Sequence, residues 1–184
     1  MGKVSLNPIT YPCGSDNMGG YKAFVLFIPA CAVSAVPELP AISDTSVDAD
    51  YVTAAGTFTF KTVGDKPKFI ACTDKTVKYG SENQGEIEGQ SFKQSGEFFR
   101  AGSKIEADAF ARQVNNTPGY LVIEDMDGKQ ILIGQPGLMV SLKPSYDGGM
   151  ARTDRRGYKF TYEADSIAPK IYLATPIDVD ALIG

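Results

Sequence analysis

Chemistry at neutral pH needs side chains that exchange protons or bind metals, and this chain offers few of them. Histidine, which is well suited to both tasks, is absent from all 184 residues. The three cysteines, Cys13, Cys31 and Cys72, are widely spaced and form no CxxC pair. This spacing predicts neither a zinc site nor a disulfide framework, so we expect buried, reduced thiols. A cysteine nucleophile would also lack the histidine that usually activates it.

The carboxylates also favour structure over catalysis. Asp125-x-Asp127-Gly128 looks like the start of a calcium loop, but an EF-hand needs flanking helices and a carboxylate at its twelfth position, which here is Pro136. The flanking segments have strand character, so we predict a hairpin turn with positive φ angles at the Asp-Gly pair. A glycosidase pair needs two carboxyl groups facing each other across a cleft. No spacing among the 22 acidic residues singles out such a pair.

Two glycine-rich turns, residues 134–137 and 148–149, are not followed by a helix that could hold a phosphate at its N-terminus. The sequence therefore predicts no catalytic residues, no metal and no cofactor, and it favours a protein that is not an enzyme.

The most concentrated positive charge is a loop of residues 146–157 that contains Arg152, Arg155 and Arg156. The planar guanidinium group is suited to phosphate or carboxylate. Because the net charge is −4 and the pI about 4.9, the chain as a whole does not attract nucleic acid. We therefore predict that the loop meets carboxylates of a partner, and that it is a solvated hairpin tip if no partner exists.

The segment of residues 30–56 contains no lysine or arginine and reads as a long acidic loop with little capacity to bury itself. Long loops without structure are usually functional or disordered. Two interpretations stay open at this stage: the loop orders against a neighbouring subunit, or it is a solvated insert. If copies of the chain stack, its carboxylates are the candidate partners of the arginines. The candidate interface residues are Glu38, Asp44, Asp48, Asp50, Arg152, Arg155 and Arg156.

The amino-acid composition indicates a globular domain with many turns. Hydrophobic residues make up 43% and charged residues 22%, which is enough to bury a core, while 19 glycines and 11 prolines indicate many turns between short strands. We predict an irregular arm over residues 1–20, one β-rich domain over 21–175 with its acidic loop at about 30–56, and a tail over 176–184. The first residues lack the apolar run of a signal peptide, and residues 23–36 are too short to span a bilayer. We expect that the protein is made in a cytoplasm and that it does not contact a membrane.

Periodicity predicts the elements. Residues 21–29 form a compact apolar run, as expected of a strand buried on both faces, and residues 81–88 read as a polar loop. The one helix is predicted at about residues 103–116, opened by a capping box of Ser103 and Glu106 and carrying an apolar stripe of Ile105, Ala109 and Val114. Further strands are predicted at residues 57–62, 68–73, 76–79, 90–100, 120–124, 129–134, 138–143, 158–163 and 171–173. The fold class is mainly β, a sandwich or barrel of antiparallel strands with one packed helix.

Residues 90–173 together resemble tail tube proteins of long-tailed bacteriophages, especially those of the Bacteroidetes-phage type. The resemblance is one of layout, in which a strand and a helix precede the matching segments. These segments are Asp125-Met126-Asp127-Gly128, Ile131-Leu132-Ile133-Gly134, the loop Gly148-Gly149-x-x-x-x-Asp154-x-Arg156-Gly157, and Tyr158-x-Phe160-x-Tyr162.

This resemblance implies a subunit of a phage tail tube, with hexameric rings stacked around a channel for DNA and an extended loop or arm linking successive rings. Its partners would be other copies and other tail proteins, and its location the virion, after synthesis in the host bacterial cytoplasm. The lumen of such tubes is usually acidic, so that DNA passes without specific binding; Glu82, Glu86 and Glu88 are the lumen candidates.

The alternatives are a tail terminator, a contractile-injection or secretion-system tube protein, or a β-sandwich binding module for carbohydrate or protein. If the basic loop joins copies, Arg155→Glu with Arg156→Glu should weaken subunit association while leaving the fold intact, because surface-loop changes rarely exceed about 0.5 kcal/mol in stability.

Overall fold

A computed structural model describes residues 6–9, 13–14 and 18–183. Within that part of the chain, strands dominate, and the predicted fold class is confirmed. The strands are β1 (Phe24–Pro29), β2 (Val33–Ala35), β3 (Thr53–Ala54), β4 (Thr59–Phe60), β5 (Lys68–Ala71), β6 (Lys78–Gln84), β7 (Ser91–Ala101), β8 (Pro118–Glu124), β9 (Gln130–Ile133), β10 (Val140–Asp147), β11 (Gly157–Ser166) and β12 (Tyr172–Leu173). The helices are α1 (Ile105–Val114) and α2 (Asp180–Ile183), with 3-10 turns at Ala30–Ala32 and Asp48–Tyr51.

Strands β1, β8 and β9 form a central layer whose two faces are both covered. In β1, Val25 and Phe27 enter one core while Leu26 and Ile28 enter a second core on the opposite face. Strands β8 and β9 alternate in the same way. The predicted burial of the 21–29 run on both faces is therefore confirmed for β1, and it explains why these strands are continuously apolar rather than alternating.

The large sheet divides at β8. Along one edge β8 pairs with β1, and along the other it pairs first with β10 and then with β9. One branch continues through β9, β12 and β3, and the other through β10, β11, β7 and β6. All of these pairs are antiparallel except β12 with β3. Beyond β5, the Thr73 N–H donates to the Phe99 carbonyl of β7 at 2.8 Å, so the sheet curls around the first core.

Helix α1 packs against this first core, but it does so with other residues than predicted. Ala111 and Val114 are buried, and Phe110 makes edge-on contacts with the rings of Phe27 and Phe160. Ile105, predicted to lie in the apolar stripe, is 86% exposed. The true stripe begins at residue 107 and continues with 110, 111 and 114, the i, i+3, i+4, i+7 spacing of one helix face.

The predicted capping box is also wrong. The N-cap is Lys104, one residue later than expected, and no side chain caps it. The Gly102 N–H is bonded to the Arg156 carbonyl, which keeps the chain paired with the start of β11 until just before the helix. Ser103 therefore precedes the cap position, and its hydroxyl is not placed to accept from the first helical turn.

The second core is covered by segments that the sequence indicated would be loops. The segment 30–56 contains β2 and β3 and buries Val33, Pro37 and Ala54, so the expectation that it has little capacity to bury itself is wrong. The predicted tail packs on the same core through Ile177, Val179 and Leu182. In contrast, the strand expected at 57–62 is reduced to β4, and β6 extends into the predicted 81–88 loop. Much of the predicted N-terminal arm lies outside the described residues.

Tyr162 ties three strands together across one glycine. It lies opposite Gly96 of β7, and its hydroxyl donates to the Lys78 carbonyl of β6 at 2.8 Å. A Cβ at Gly96 would collide with both that carbonyl and the Tyr162 hydroxyl. Gly96 therefore permits the ring of Tyr162 to cross β7 on the inner face of the curled sheet.

We predict that Gly96→Ala lowers the free energy of unfolding by about 2–3 kcal/mol, because the added methyl group forces Tyr162 off its neighbour strand. The matched control is Gly80→Ala in β6, where a Cβ meets only the Ser95 carbonyl at 3.8 Å. That change should leave stability unchanged or raise it by about 0.5 kcal/mol, since alanine loses less backbone entropy than glycine. Urea unfolding measures both; equal midpoints for the two variants would contradict the assignment.

Candidate functional site

The groups that sequence analysis weighed for chemistry are dispersed. Among residues 6–9, 13–14 and 18–183, no three histidine, cysteine or acidic residues lie together as a set that could hold a metal ion. No helix in the described part of the chain is long and apolar enough to cross a membrane.

The cysteines are free, as expected, but their predicted burial is wrong for two of them. Cys13 and Cys31 are exposed, and Cys72 is partly buried. Burial raises the pKa of the Cys72 thiol to about 12, against a smaller lowering by the Arg100 charge. Cys72 is therefore a thiol at neutral pH, and its reactivity as a nucleophile is low.

The basic loop, defined here as residues 148–156, is a built structure rather than a loose tip. Asp154 accepts hydrogen bonds from the Met150 and Ala151 N–H groups at 2.9 and 2.7 Å, and these bonds lower the pKa of its carboxyl group. Its own N–H donates to the Ala151 carbonyl, which closes a turn with Arg152 at a corner. Asp147 caps the Gly149 N–H at 2.9 Å. The loop is thus held by its own carboxylates.

The loop is also anchored to β7 and α1. The Arg155 guanidinium lies over the Phe99 ring, 5.5 Å from its centroid, and the Arg156 carbonyl accepts from Gly102. Just after the loop, the Tyr158 hydroxyl donates to Asp108 of α1 at 2.6 Å. All three loop arginines are exposed, and none takes part in the ion pairs found within the described residues. The loop therefore presents three solvent-exposed arginines from a fixed support.

The structure does not bring the acidic interface candidates to this loop. Asp48 accepts from the Asn7 side-chain amide at 2.6 Å, and Asp50 accepts from the Val47 N–H at 2.8 Å. Glu38 lies at a bridge to Ala55 and is exposed, as is Asp44. These residues precede β3, at one end of the large sheet, whereas the basic loop joins β10 and β11 in its other branch. Two of the four carboxylates already accept hydrogen bonds from the same chain.

The outer face of β10, β11, β7 and β6 is a grid of opposite charges. Glu163 pairs with Lys93 and Lys143 at 3.0 and 3.1 Å, and these lysines lower the pKa of its carboxyl group. Register places further charged residues on this face. Its four lysines, Lys78, Lys93, Lys143 and Lys159, lie among five carboxylates, Glu82, Glu97, Asp147, Glu163 and Asp165. Glu82, a predicted lumen residue, therefore lies on a surface of mixed charge.

The other two lumen candidates lie beyond that face, in the hairpin tip, defined here as residues 85–90 between β6 and β7. The Gly89 N–H donates to the Glu86 carbonyl at 3.0 Å, and Glu88 adopts a φ of +72°. The turn therefore has Ile87 and Glu88 at its corners. Ile87 is 87% exposed, flanked by the two carboxylates.

A tyrosine slot, which sequence analysis missed, separates the two ends of the curled sheet. It has a volume of about 560 Å³ and lies between Gly80 and Ser81 of β6 and the β3–β12 end. Its walls include Tyr21, Tyr79 and Tyr172. Three tyrosines so far apart in sequence carry no spacing signal, so only the curl of the sheet reveals them as neighbours.

The polar atoms around the slot are only partly satisfied. The Tyr79 hydroxyl donates to the Pro169 carbonyl at 2.6 Å, while the buried Ser81 hydroxyl has no partner in the described structure. The slot thus combines aromatic walls with polar groups, as small-ligand sites commonly do.

Comparison with protein families, curated proteins and solved structures finds no match to this chain.

We predict that Asp154→Ala increases hydrogen exchange at the Met150 and Ala151 amides several-fold, because both lose a charged acceptor. The urea midpoint should stay unchanged, since the loop is exposed. In the wild type, the lowered pKa means that the carboxylate keeps these bonds at neutral pH and loses them only as pH falls through a value below the usual aspartate range.

The control for this experiment is Asp127→Ala, an exposed aspartate in the β8–β9 turn whose carboxylate has no hydrogen bond within the described residues. Equal exchange at the two basic-loop amides in wild type and Asp154→Ala would show that the carboxylate does not hold the loop.

Proposed function

We propose that the protein is a self-assembling structural subunit that forms stacked rings around a channel for DNA, as its resemblance to phage tail tube proteins implies. The order of elements over residues 90–173 supports this proposal, since a strand, a packed helix and antiparallel strands follow one another as in that layout. The six-fold rings, the other tail proteins as partners and the virion location rest on the resemblance alone.

The single observation that carries the proposal is the open edge of β6. This strand ends the sheet, and its seven residues pair with β7 alone among the described strands. Its register with β7 is continuous, and it contains no proline. An unpaired edge of this kind exposes N–H and C=O groups that can pair with another chain. In a ring, a strand of the neighbouring copy would satisfy them.

The charge distribution suits passage of DNA. With a net charge of −4, the chain gives no gain from counterion release on DNA phosphates. The mixed-charge face of β10, β11, β7 and β6 likewise offers no net positive field. A channel lined by such a surface would let DNA slide without specific binding.

We predict that the concentrated protein forms rings or tubes with a central channel in electron micrographs, and that sedimentation velocity shows species far larger than a 19.7 kDa monomer. A protein that stays monomeric at every concentration, with no tube in any particle that carries it, would contradict the proposal. A tail terminator would give a single ring per particle, whereas a tube subunit of a phage, injection or secretion system would be present in many tens of copies.

A second candidate function, a binding module, is favoured by the tyrosine slot. Its three tyrosines provide ring faces and hydroxyl groups, the usual means of holding a sugar. We predict that a monomeric binding module would give clear hits on a glycan array, and that these would be lost in Tyr172→Ala. An array without hits would exclude carbohydrate as the ligand of the slot.

A further inference from the structure

The hairpin tip and the basic loop lie at opposite ends of one strand. The tip directly precedes Ser91, the first residue of β7, and the loop directly precedes Gly157, which pairs with Ala101, the last residue of β7. An 11-residue strand spans roughly 33 Å between its first and last Cα atoms at about 3.3 Å per residue. The two features therefore cannot contact each other within one copy of the chain.

They are nevertheless complementary in charge. The tip carries Glu86 and Glu88 and no positive charge. The loop carries three arginines and one aspartate, and that aspartate is already bonded within the loop. Neither tip carboxylate has a hydrogen bond or ion pair within the described residues, and the loop guanidinium groups have no carboxylate partner there. Guanidinium and carboxylate groups form paired, charge-assisted hydrogen bonds when they meet.

They also share an exposed apolar side chain. Ile87 stands at a corner of the tip turn, and Met150 of the loop is 103% exposed. Both residues lie in turns closed by hydrogen bonds, so their exposure is built into the local structure. An apolar residue flanked by carboxylates thus matches an apolar residue that is followed in its loop by arginines. Contact between them would remove both side chains from water.

We infer that the hairpin tip of one copy binds the basic loop of a second copy, head to tail along the direction of β7. This inference rests on the proposed assembly and names its contact. It differs from the prediction that the arginines meet the 38–50 segment, where Asp48 and Asp50 already accept hydrogen bonds within the same chain. A head-to-tail contact joins two different surfaces, so it can repeat along a filament.

The test uses charge reversal with rescue. The tip variant is Glu86→Lys with Glu88→Lys, and the loop variant is Arg152→Glu with Arg156→Glu. Arg155 is left intact because its guanidinium packs on Phe99. Each variant alone places like charges at the contact, so its self-association should weaken roughly tenfold or more at low salt. An equimolar mixture, or a chain with all four changes, should restore it.

The matched control is Lys61→Glu with Lys68→Glu, which makes the same charge change as the loop variant at exposed lysines elsewhere. It should assemble as the wild type does, measured by light scattering and sedimentation velocity. Circular dichroism and urea midpoints verify that every variant is folded.

A second readout locates the contact. In a Cys13→Ser, Cys31→Ser background, Ile87→Cys with Met150→Cys should form disulfide-linked multimers under mild oxidation. Val63→Cys with Met150→Cys is the control, because Val63 is as exposed as Met150. It should cross-link far more slowly.

The outcomes separate the two proposals. If the wild type never assembles, the proposed function fails and the contact fails with it. If the wild type assembles and the reversals have no effect, or if the mixture does not rescue them, the contact is wrong while the assembly stands.

Discussion

The structure depends on one constraint: β1, β8 and β9 must be apolar on both faces. Each fully buried aliphatic side chain contributes about 1.5–3 kcal/mol relative to exposure, and these strands supply such side chains to two cores at once. A layer of this kind is stable only if something covers each face. The curl of β10, β11, β7 and β6 with α1 covers one face, and the segments around β2, β3, β4 and α2 cover the other.

This constraint explains why a polar, acidic segment is ordered. Residues 30–56 follow β1 directly. Without them, the face of the central layer that enters the second core would be more exposed to water. Val33 and Ala54 enter the second core, while the carboxylates remain on the outside. Gln130 ties the C-terminal segment to the same layer, since its amide both donates to and accepts from the backbone of Ile177. Ordering of these segments is thus a consequence of internal packing.

The proposed assembly uses two directions that the fold keeps apart. The edge of β6 pairs with no described strand, although its middle borders the tyrosine slot, and it would join neighbours within a ring along the direction of sheet hydrogen bonds. The hairpin tip and the basic loop lie at the two ends of β7, and would join copies along the strand direction. Because β11 pairs with β7 from Phe92 to Ala101, β6 pairs with it from Ser91 to Glu97, and Tyr162 ties all three strands, the separation of the two ends is fixed.

Sequence alone determined the local features whose causes are local. It predicted the mainly β class, the apolar run of β1, the position of the Asp125–Gly128 turn and the alternation of Phe160 and Tyr162, because side-chain periodicity and turn chemistry act within a few residues. In that turn only Gly128 of the Asp-Gly pair has the predicted positive φ. Tertiary structure decided the rest. Because the Gly102 N–H is bonded to the Arg156 carbonyl, the helix begins later than predicted and has no capping box. Because the central layer is apolar on both faces, the predicted acidic loop packs on its second core. The tyrosine slot, the charge grid and the distance between tip and loop depend on which strands become neighbours, and pairing across long sequence separations leaves no local pattern to read.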